Sequence, residues 1–174
     1  MTQPLYTVRQ LAYVVRDLDA ALQYWTGMLK VGPFFRMDHA PLAEQRFYGK
    51  PCHVDISLAV GNSGDLQIEL IQQHCDTPSV YKEFLDAGRV GVHHFGLMPV
   101  DYVATCAQYL ANGHAPAFQC TLGGAELTYF DTVASVGHYI ELWDNNEVFK
   151  NLFLMVEDAA KGWDGSQPVR AFPS

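Results

Sequence analysis

The chain has 174 residues, of which 49% are hydrophobic and 17% are charged, and its formal net charge is −8. This composition predicts a folded protein with a substantial core and excludes a largely disordered chain. The acidic balance argues against nucleic acid or an anionic membrane as a partner, because the sequence has no basic stripe that could neutralise phosphates.

Targeting signals and cysteine usage indicate where such a chain would work. No apolar run approaches the roughly 20 residues that cross a bilayer, and the N-terminal stretch lacks the charged and apolar regions of a signal peptide. The four cysteines are widely spaced and form no Cys-x-x-Cys pair. These features predict a cytoplasmic protein with reduced thiols, and two disulfides are the weaker alternative.

The first predicted module spans residues 7–73 and begins with an apolar strand and a helix that Asp17 caps. Apolar residues follow Asp17 at helical spacing, and three more strands complete a β-α-β-β-β unit. These three strands are expected at residues 33–39, 52–60 and 66–72.

The second predicted module, residues 91–144, repeats this order of elements. In the first strand of each module Gln10 lines up with His94, at an offset of 84 residues. The last strand of each module carries Ile-Glu-Leu, so Glu69 lines up with Glu141. A repeat this long that occurs only twice predicts duplication within one fold rather than a solenoid.

Two further segments complete the predicted organisation of the chain. A connecting helix is expected at residues 77–88, with Thr77 as its cap and Gly88 at its end. Residues 145–174 are expected to form a last helix followed by an extended or mobile arm. We treat residues 1–174 as a single domain of the α+β class.

Strand periodicity places four polar side chains on strand faces where a metal ion would suit them. Gln10 and His94 have small neighbours on their faces, while Glu69 and Glu141 interrupt apolar strands, where an unpaired buried carboxylate is costly. Taken singly, each has an ordinary structural explanation, but together they form two matched pairs. We therefore predict that these four bind a divalent ion, namely Zn²⁺, Ni²⁺, Co²⁺, Mn²⁺ or Fe²⁺. His93 is expected to pack on the opposite face.

The paired modules resemble the vicinal oxygen chelate superfamily, which includes glyoxalase I, methylmalonyl-CoA epimerase, extradiol dioxygenases and bleomycin-resistance proteins. The segments GVHHFGLMPVD, VRDLDAALQYW and HYIELWD are similar to the metal-strand motifs of the epimerase-like branch. The resemblance covers about residues 8–144 and implies a cupped, eight-stranded mixed sheet around a metal site. Its ligand positions, which match the set of glyoxalase I, correspond to Gln10, Glu69, His94 and Glu141.

The sequence departs from two branches of this family. Val14 and Gln73 stand where glyoxalase I has an Arg and an Asn that hold glutathione, so glutathione recognition is not expected. Gln10 stands where extradiol dioxygenases have the first of two His ligands, which argues against oxygen activation.

The resemblance implies a metal-dependent isomerase, epimerase or lyase of the glyoxalase type that acts on a small-molecule carbonyl substrate, either an acyl thioester or a ketone. The metal would be a Lewis acid, and Glu141, or Glu69 on the other side, would remove the proton next to the carbonyl. An iron-dependent ring-cleaving dioxygenase and a non-catalytic binding or resistance protein are the alternatives. Analogy with the family also predicts a homodimer.

Overall fold

The computed structural model describes residues 7–172, within which eleven strands form one sheet. The strands are β1 Gln10–Val14, β2 Phe34–Met37, β3 Ala43–Phe47, β4 Lys50–Pro51, β5 Ile56–Ser63, β6 Leu66–Gln73, β7 Gly91–Leu97, β8 Pro116–Leu122, β9 Ala125–Phe130, β10 Tyr139–Trp143 and β11 Val169–Ala171. The helices are α1 Leu18–Gly27, α2 Val80–Asp86, α3 Tyr102–Ala111, α4 Val133–Val136 and α5 Glu147–Ala160.

The central eight strands are those that the two modules predict. Their order is β2-β5-β6-β1-β7-β10-β9-β8, so the first strands of the two modules are neighbours in the middle of the sheet. β1 and β7 pair antiparallel, and each pairs parallel with the last strand of its own module. Ala12 lies opposite Glu69 and Gly96 lies opposite Glu141. The glutamates thus occupy equivalent register positions in a curled, unclosed mixed sheet of the predicted class.

Three short strands extend this sheet beyond the eight that were predicted. β3 and β4 form a hairpin in the first module, but β3 pairs with β8 of the second module, and β11 pairs with β2. The polar sequence of the hairpin does not indicate strands, because their pairing depends on a partner about 70 residues away. Part of the predicted C-terminal arm is therefore a strand at the edge of the sheet.

Helix caps and cysteines agree with the sequence patterns except at α2. The Asp17 side chain accepts a hydrogen bond from Ala20 N–H, as predicted. At α2 the cap is Ser79 rather than Thr77, and the Ser79 hydroxyl accepts from Lys82 N–H. All four cysteines are free thiols. Within the part of the chain that the structure describes, no helix has the length and apolar character to span a membrane.

The two faces of the sheet bury different hydrophobic clusters. β5 illustrates this because its side chains alternate: Ala59 joins an outer cluster under α1, whereas Leu58 and Val60 join an inner cluster with α5. Phe149 and Phe153 of α5 are buried in this inner cluster. α5 therefore lies inside the curl of the sheet, on the face that carries the predicted metal ligands.

Gly96 allows the close contact that supports α5. A Cβ at this position would collide with the indole of Trp143, which packs against the rings of Phe149 and Phe153. We expect Gly96→Ala to lower the free energy of unfolding by about 1–3 kcal/mol, because an extra carbon in a packed site forces its neighbours to move. Urea denaturation measures this change.

The matched control for this substitution is Gly27→Ala in α1. A Cβ at Gly27 would meet nothing within 4 Å, so this variant should be as stable as the parent or slightly more stable. Equal stability of the two variants would contradict the steric role of Gly96.

Candidate metal centre

Three ionisable side chains from three strands converge inside the curl of the sheet. The candidate ligand atoms of Glu69 on β6, His94 on β7 and Glu141 on β10 all lie within 4.8 Å of one another. His94 Nε2 is 3.2 Å from Glu141 Oε2 and 3.4 Å from Glu69 Oε2. All three residues are buried. The structure thus brings together three of the four residues that the sequence singled out.

Gln10, the fourth predicted ligand, lines the same cavity as the two glutamates. Its Nε2 donates a hydrogen bond to Gln67 Oε1 at 2.8 Å, while its own Oε1 is buried without a hydrogen-bond partner. Leaving a buried acceptor unsatisfied costs about 1–3 kcal/mol. The Gln10 carbonyl oxygen is therefore available to an additional ligand.

Electrostatics within the group favour a cation between the carboxylates. Burial by itself would lower the pKa of His94, but the carboxylates of Glu141 and Glu69 outweigh it and raise the pKa to about 9. Burial also raises the pKa of Glu69, and the neighbouring His94 opposes that rise. A single proton on His94 balances only one of the two carboxylates, whereas a divalent ion would balance both.

The potential donor atoms of these four residues fit a divalent metal ion. Two carboxylates, an amide oxygen and an imidazole nitrogen are ligands that Zn²⁺ and its first-row neighbours accept. His94 Nε2 and Gln10 Oε1 are both buried and lack hydrogen bonds of normal geometry, so both would gain a partner from the ion.

His93 lies beside the group rather than on the opposite face. A β-bulge causes this: Ala12 pairs with His94 and Tyr13 pairs with Val92, so His93 is the extra residue. The Nδ1 atoms of His93 and His94 are 2.9 Å apart, and His93 is fully buried. The expectation from strict alternation is wrong here because the bulge interrupts the period of two.

The hydrogen bonds of His93 determine which nitrogen of His94 faces the glutamates. His93 Nε2 lies 3.1 Å from the Val80 carbonyl oxygen and must donate to it, because a carbonyl only accepts. Burial lowers the pKa of His93 well below its ordinary value, so the ring is neutral and its Nδ1 accepts. His94 therefore donates from Nδ1 and presents Nε2 to Glu69 and Glu141.

Loss of this hydrogen bond should weaken metal binding. We expect His93→Leu to raise the dissociation constant for Zn²⁺ by about 10–100-fold, the usual effect of removing the hydrogen-bond partner of a metal-binding histidine. Competition with a chromophoric chelator measures the constant.

The matched control is His93→Gln, whose amide can accept from His94 and donate to Val80. It should retain most of the affinity. An unchanged dissociation constant in folded His93→Leu would show that the hydrogen bond does not orient His94.

Two tyrosines that the sequence does not single out also line the cavity. The Tyr81 hydroxyl donates to the Tyr129 hydroxyl at 2.9 Å, which leaves the proton of Tyr129 free to be donated. Burial raises the pKa of both well above the ordinary value, so both remain protonated. Tyr129 lies opposite Glu141 in the register of β9 and β10. Pairing of these two predicted strands could therefore have indicated that Tyr129 lies near the site. Tyr81 on α2 had no such signal, because only tertiary packing brings it there.

Gln10, Glu69 and Glu141 line a small cavity of about 50 Å³, and His94 is buried behind them. Its roof consists of side chains from α5 and the C-terminal arm, namely Phe149, Leu152, Phe153 and Phe172. A larger cleft of about 650 Å³ lies elsewhere, near Glu44 on β3 and Tyr102 on α3, and contains none of the four predicted ligands. The small cavity is therefore the candidate site, because the buried charges are there.

Comparison with known families agrees with this fold. The sequence pattern of the Glyoxalase/Bleomycin resistance protein/Dioxygenase superfamily matches residues 9–130, which is more than half of the chain. The chain therefore belongs to this superfamily, as the resemblance of its motifs predicted. A search among curated proteins found no match.

Solved structures with the same fold include members of the epimerase-like branch. Methylmalonyl-CoA epimerase from Mycobacterium tuberculosis is 17% identical with a TM-score of 0.58, and the match covers 87% of this chain and 95% of that chain. A methylmalonyl-CoA epimerase in complex with methylmalonyl-CoA and NH4+ is 17% identical with a TM-score of 0.56, covering 83% and 98%. A hypothetical protein from Bacillus halodurans C-125 is 16% identical with a TM-score of 0.56, covering 81% and 95%. At these sequence identities, the comparisons show a shared fold.

Proposed function

We propose that this protein removes and returns a proton on the carbon next to a carbonyl group, as a metal-dependent isomerase, epimerase or lyase of the glyoxalase type. The observation that carries the proposal is the buried group of two carboxylates and an imidazole, with ligand atoms within 4.8 Å. Membership of the superfamily and the fold shared with methylmalonyl-CoA epimerases support it.

Gln10, Glu69, His94 and Glu141 would hold a divalent ion, for which Zn²⁺, Ni²⁺, Co²⁺, Mn²⁺ and Fe²⁺ are the candidates. When bound, the ion supplies Lewis acidity to a carbonyl oxygen. The residues of the chain orient the substrate, exclude water and move the proton.

Glu141 and Glu69 are the proposed bases. They come from opposite sides of the site, because β10 and β6 flank the central pair of strands. One carboxylate takes the proton as the C–H bond breaks, and the electron pair of that bond moves toward the carbonyl oxygen. The proton returns to the same carbon in an epimerisation or to its neighbour in an isomerisation. Burial raises the pKa of Glu69, which matches that carboxylate better to this work near neutral pH.

Metal analysis followed by proton exchange tests the proposal. Protein purified without chelator should contain about one divalent ion per chain. In D₂O the loaded protein should incorporate deuterium next to the carbonyl of 2-hydroxyacetophenone or methylmalonyl-CoA, as followed by NMR. Iron together with oxygen consumption on catechol would instead support a dioxygenase. Ligand binding that is indifferent to chelator would support a non-catalytic binding protein.

A further inference from the structure

Within residues 7–172, the cavity beside the candidate ligands has a mostly apolar lining without cationic side chains. Among the described residues that line it, none is Lys or Arg. Its polar members are the Gln10–Gln67 pair, the two glutamates, the Tyr81–Tyr129 pair and Cys120. The apolar members are Met37, Leu42, Ile56, Leu58, Val60, Ile71, Leu122, Leu127, Trp143, Phe149, Leu152, Phe153 and Phe172.

The charge balance of the cavity disfavours an anionic substrate. Two carboxylates and one divalent ion sum to zero, so a phosphate or carboxylate on the substrate would find no counter-charge in the lining. Arg9, a buried cation beside Gln10, is not in the lining, and its Nη2 lies 4.0 Å from Glu157 Oε2. Burying an unpaired charge is costly, whereas a neutral apolar body gains from burial.

The roof of the cavity would cover such a body with apolar side chains. Phe149, Leu152 and Phe153 of α5 and Phe172 of the arm all lie beyond residue 130, outside the part of the chain that the superfamily pattern matches. The guanidinium of Arg9 lies 5.6 Å from the centroid of the Phe153 ring, so the roof is docked on the strand that carries Gln10. The cavity volume of about 50 Å³ holds little more than water.

We infer that the substrate is a small, neutral carbonyl compound with an apolar body, and that side chains of α5 cover it. This inference rests on the proposed function. The apolar body replaces contacts that the roof side chains now make with the floor, and this cover excludes water from the reacting carbon. The Tyr129 hydroxyl is placed to donate a hydrogen bond to a substrate oxygen.

Two matched ketones, one neutral and one anionic, and an anionic thioester test the charge preference. The full chain is loaded with Co²⁺, and changes in its visible spectrum are titrated with 2-hydroxyacetophenone, with 4-(hydroxyacetyl)benzoate and with propionyl-CoA. We expect 2-hydroxyacetophenone to bind at least about 10-fold more tightly than its carboxylate analogue, 4-(hydroxyacetyl)benzoate, or than propionyl-CoA. Equal or tighter binding of either anionic probe would overturn the inference.

A substitution in the roof provides a second test with its own control. Leu152 is half-buried, so Leu152→Lys can place an ammonium group at the cavity while its stem stays packed. This variant should bind 4-(hydroxyacetyl)benzoate about 10-fold more tightly than the parent protein does. Val148→Lys, on the exposed side of α5, should leave both affinities unchanged. An unchanged preference in folded Leu152→Lys would count against α5 as the roof of the substrate site.

The two proposals fail in different ways in these experiments. Tight binding of the neutral ketone without any deuterium exchange would overturn the proposed function but leave the substrate class intact. Deuterium exchange on methylmalonyl-CoA, together with weak binding of the ketone, would support the proposed function and overturn the substrate class.

Discussion

Glu141→Gln should slow deuterium exchange next to the carbonyl of 2-hydroxyacetophenone by about 10²- to 10⁴-fold, the usual contribution of a positioned general base. The amide of glutamine keeps an oxygen for the metal but cannot accept the proton. Glu69→Gln, measured in the same way, shows how much the second carboxylate contributes to the rate of deuterium exchange. NMR in D₂O follows the exchange, and elemental analysis confirms that each variant remains loaded with metal.

Glu147→Gln is the matched control, because Glu147 lies in the exposed first turn of α5 and is far less buried than Glu141. It should exchange at the rate of the parent. Unchanged exchange in both metal-loaded site variants would rule out the two glutamates as bases, and the proposed reaction would then need another acceptor for the proton.

His94→Ala should have the second large effect, on stability as well as on metal binding. Removing one partner of a buried charged group leaves the others uncompensated, so the free energy of unfolding of the metal-free protein should fall by about 3–5 kcal/mol. The loss should be large because Glu69 and Glu141 are both buried against His94 Nε2. Urea denaturation in the presence of chelator measures it.

The gain in stability on Zn²⁺ binding provides an independent measurement on the same variant. The parent should gain about 2.7 kcal/mol of stability at a free Zn²⁺ concentration 100 times the dissociation constant. His94→Ala should gain almost none. The double variant His94→Ala, Glu69→Gln should recover part of the lost stability, because it buries one carboxylate fewer. An unchanged urea midpoint for His94→Ala would contradict the buried ionic group.

Side chains of α5 line one side of the candidate site. A pattern shared with the superfamily ends at residue 130, so Glu141 and the roof both lie beyond it. The floor of the cavity is thus built mainly from the matched region, while the chain that follows supplies the cover.

The group of candidate ligands could be selected from the sequence because its signals are strand periodicity and a repeated spacing. Strand periodicity and the offset between the two modules placed Gln10, Glu69, His94 and Glu141 at corresponding positions, and the register of β1, β6, β7 and β10 agrees for the glutamates. The homodimer and the cytoplasmic location remain predictions, because neither is encoded in contacts within one chain.

Other features depended on contacts that no short pattern contains. The bulge at His93 moves its ring into the site, and strict alternation predicts the opposite face. The Tyr81 hydroxyl reaches Tyr129, 48 residues away, because of where α2 docks. The polar hairpin of β3 and β4 becomes part of the sheet only through its pairing with β8.

The amino-acid sequence by itself predicted the eight central strands, the cap at Asp17 and the four candidate ligands, because each depends on residue types a few positions apart or on a repeated spacing. Only the tertiary structure decided that His93 lies against His94 and that side chains of α5 line the cavity. Both result from packing between segments distant in the chain, where burial and hydrogen-bond satisfaction outweigh local preference.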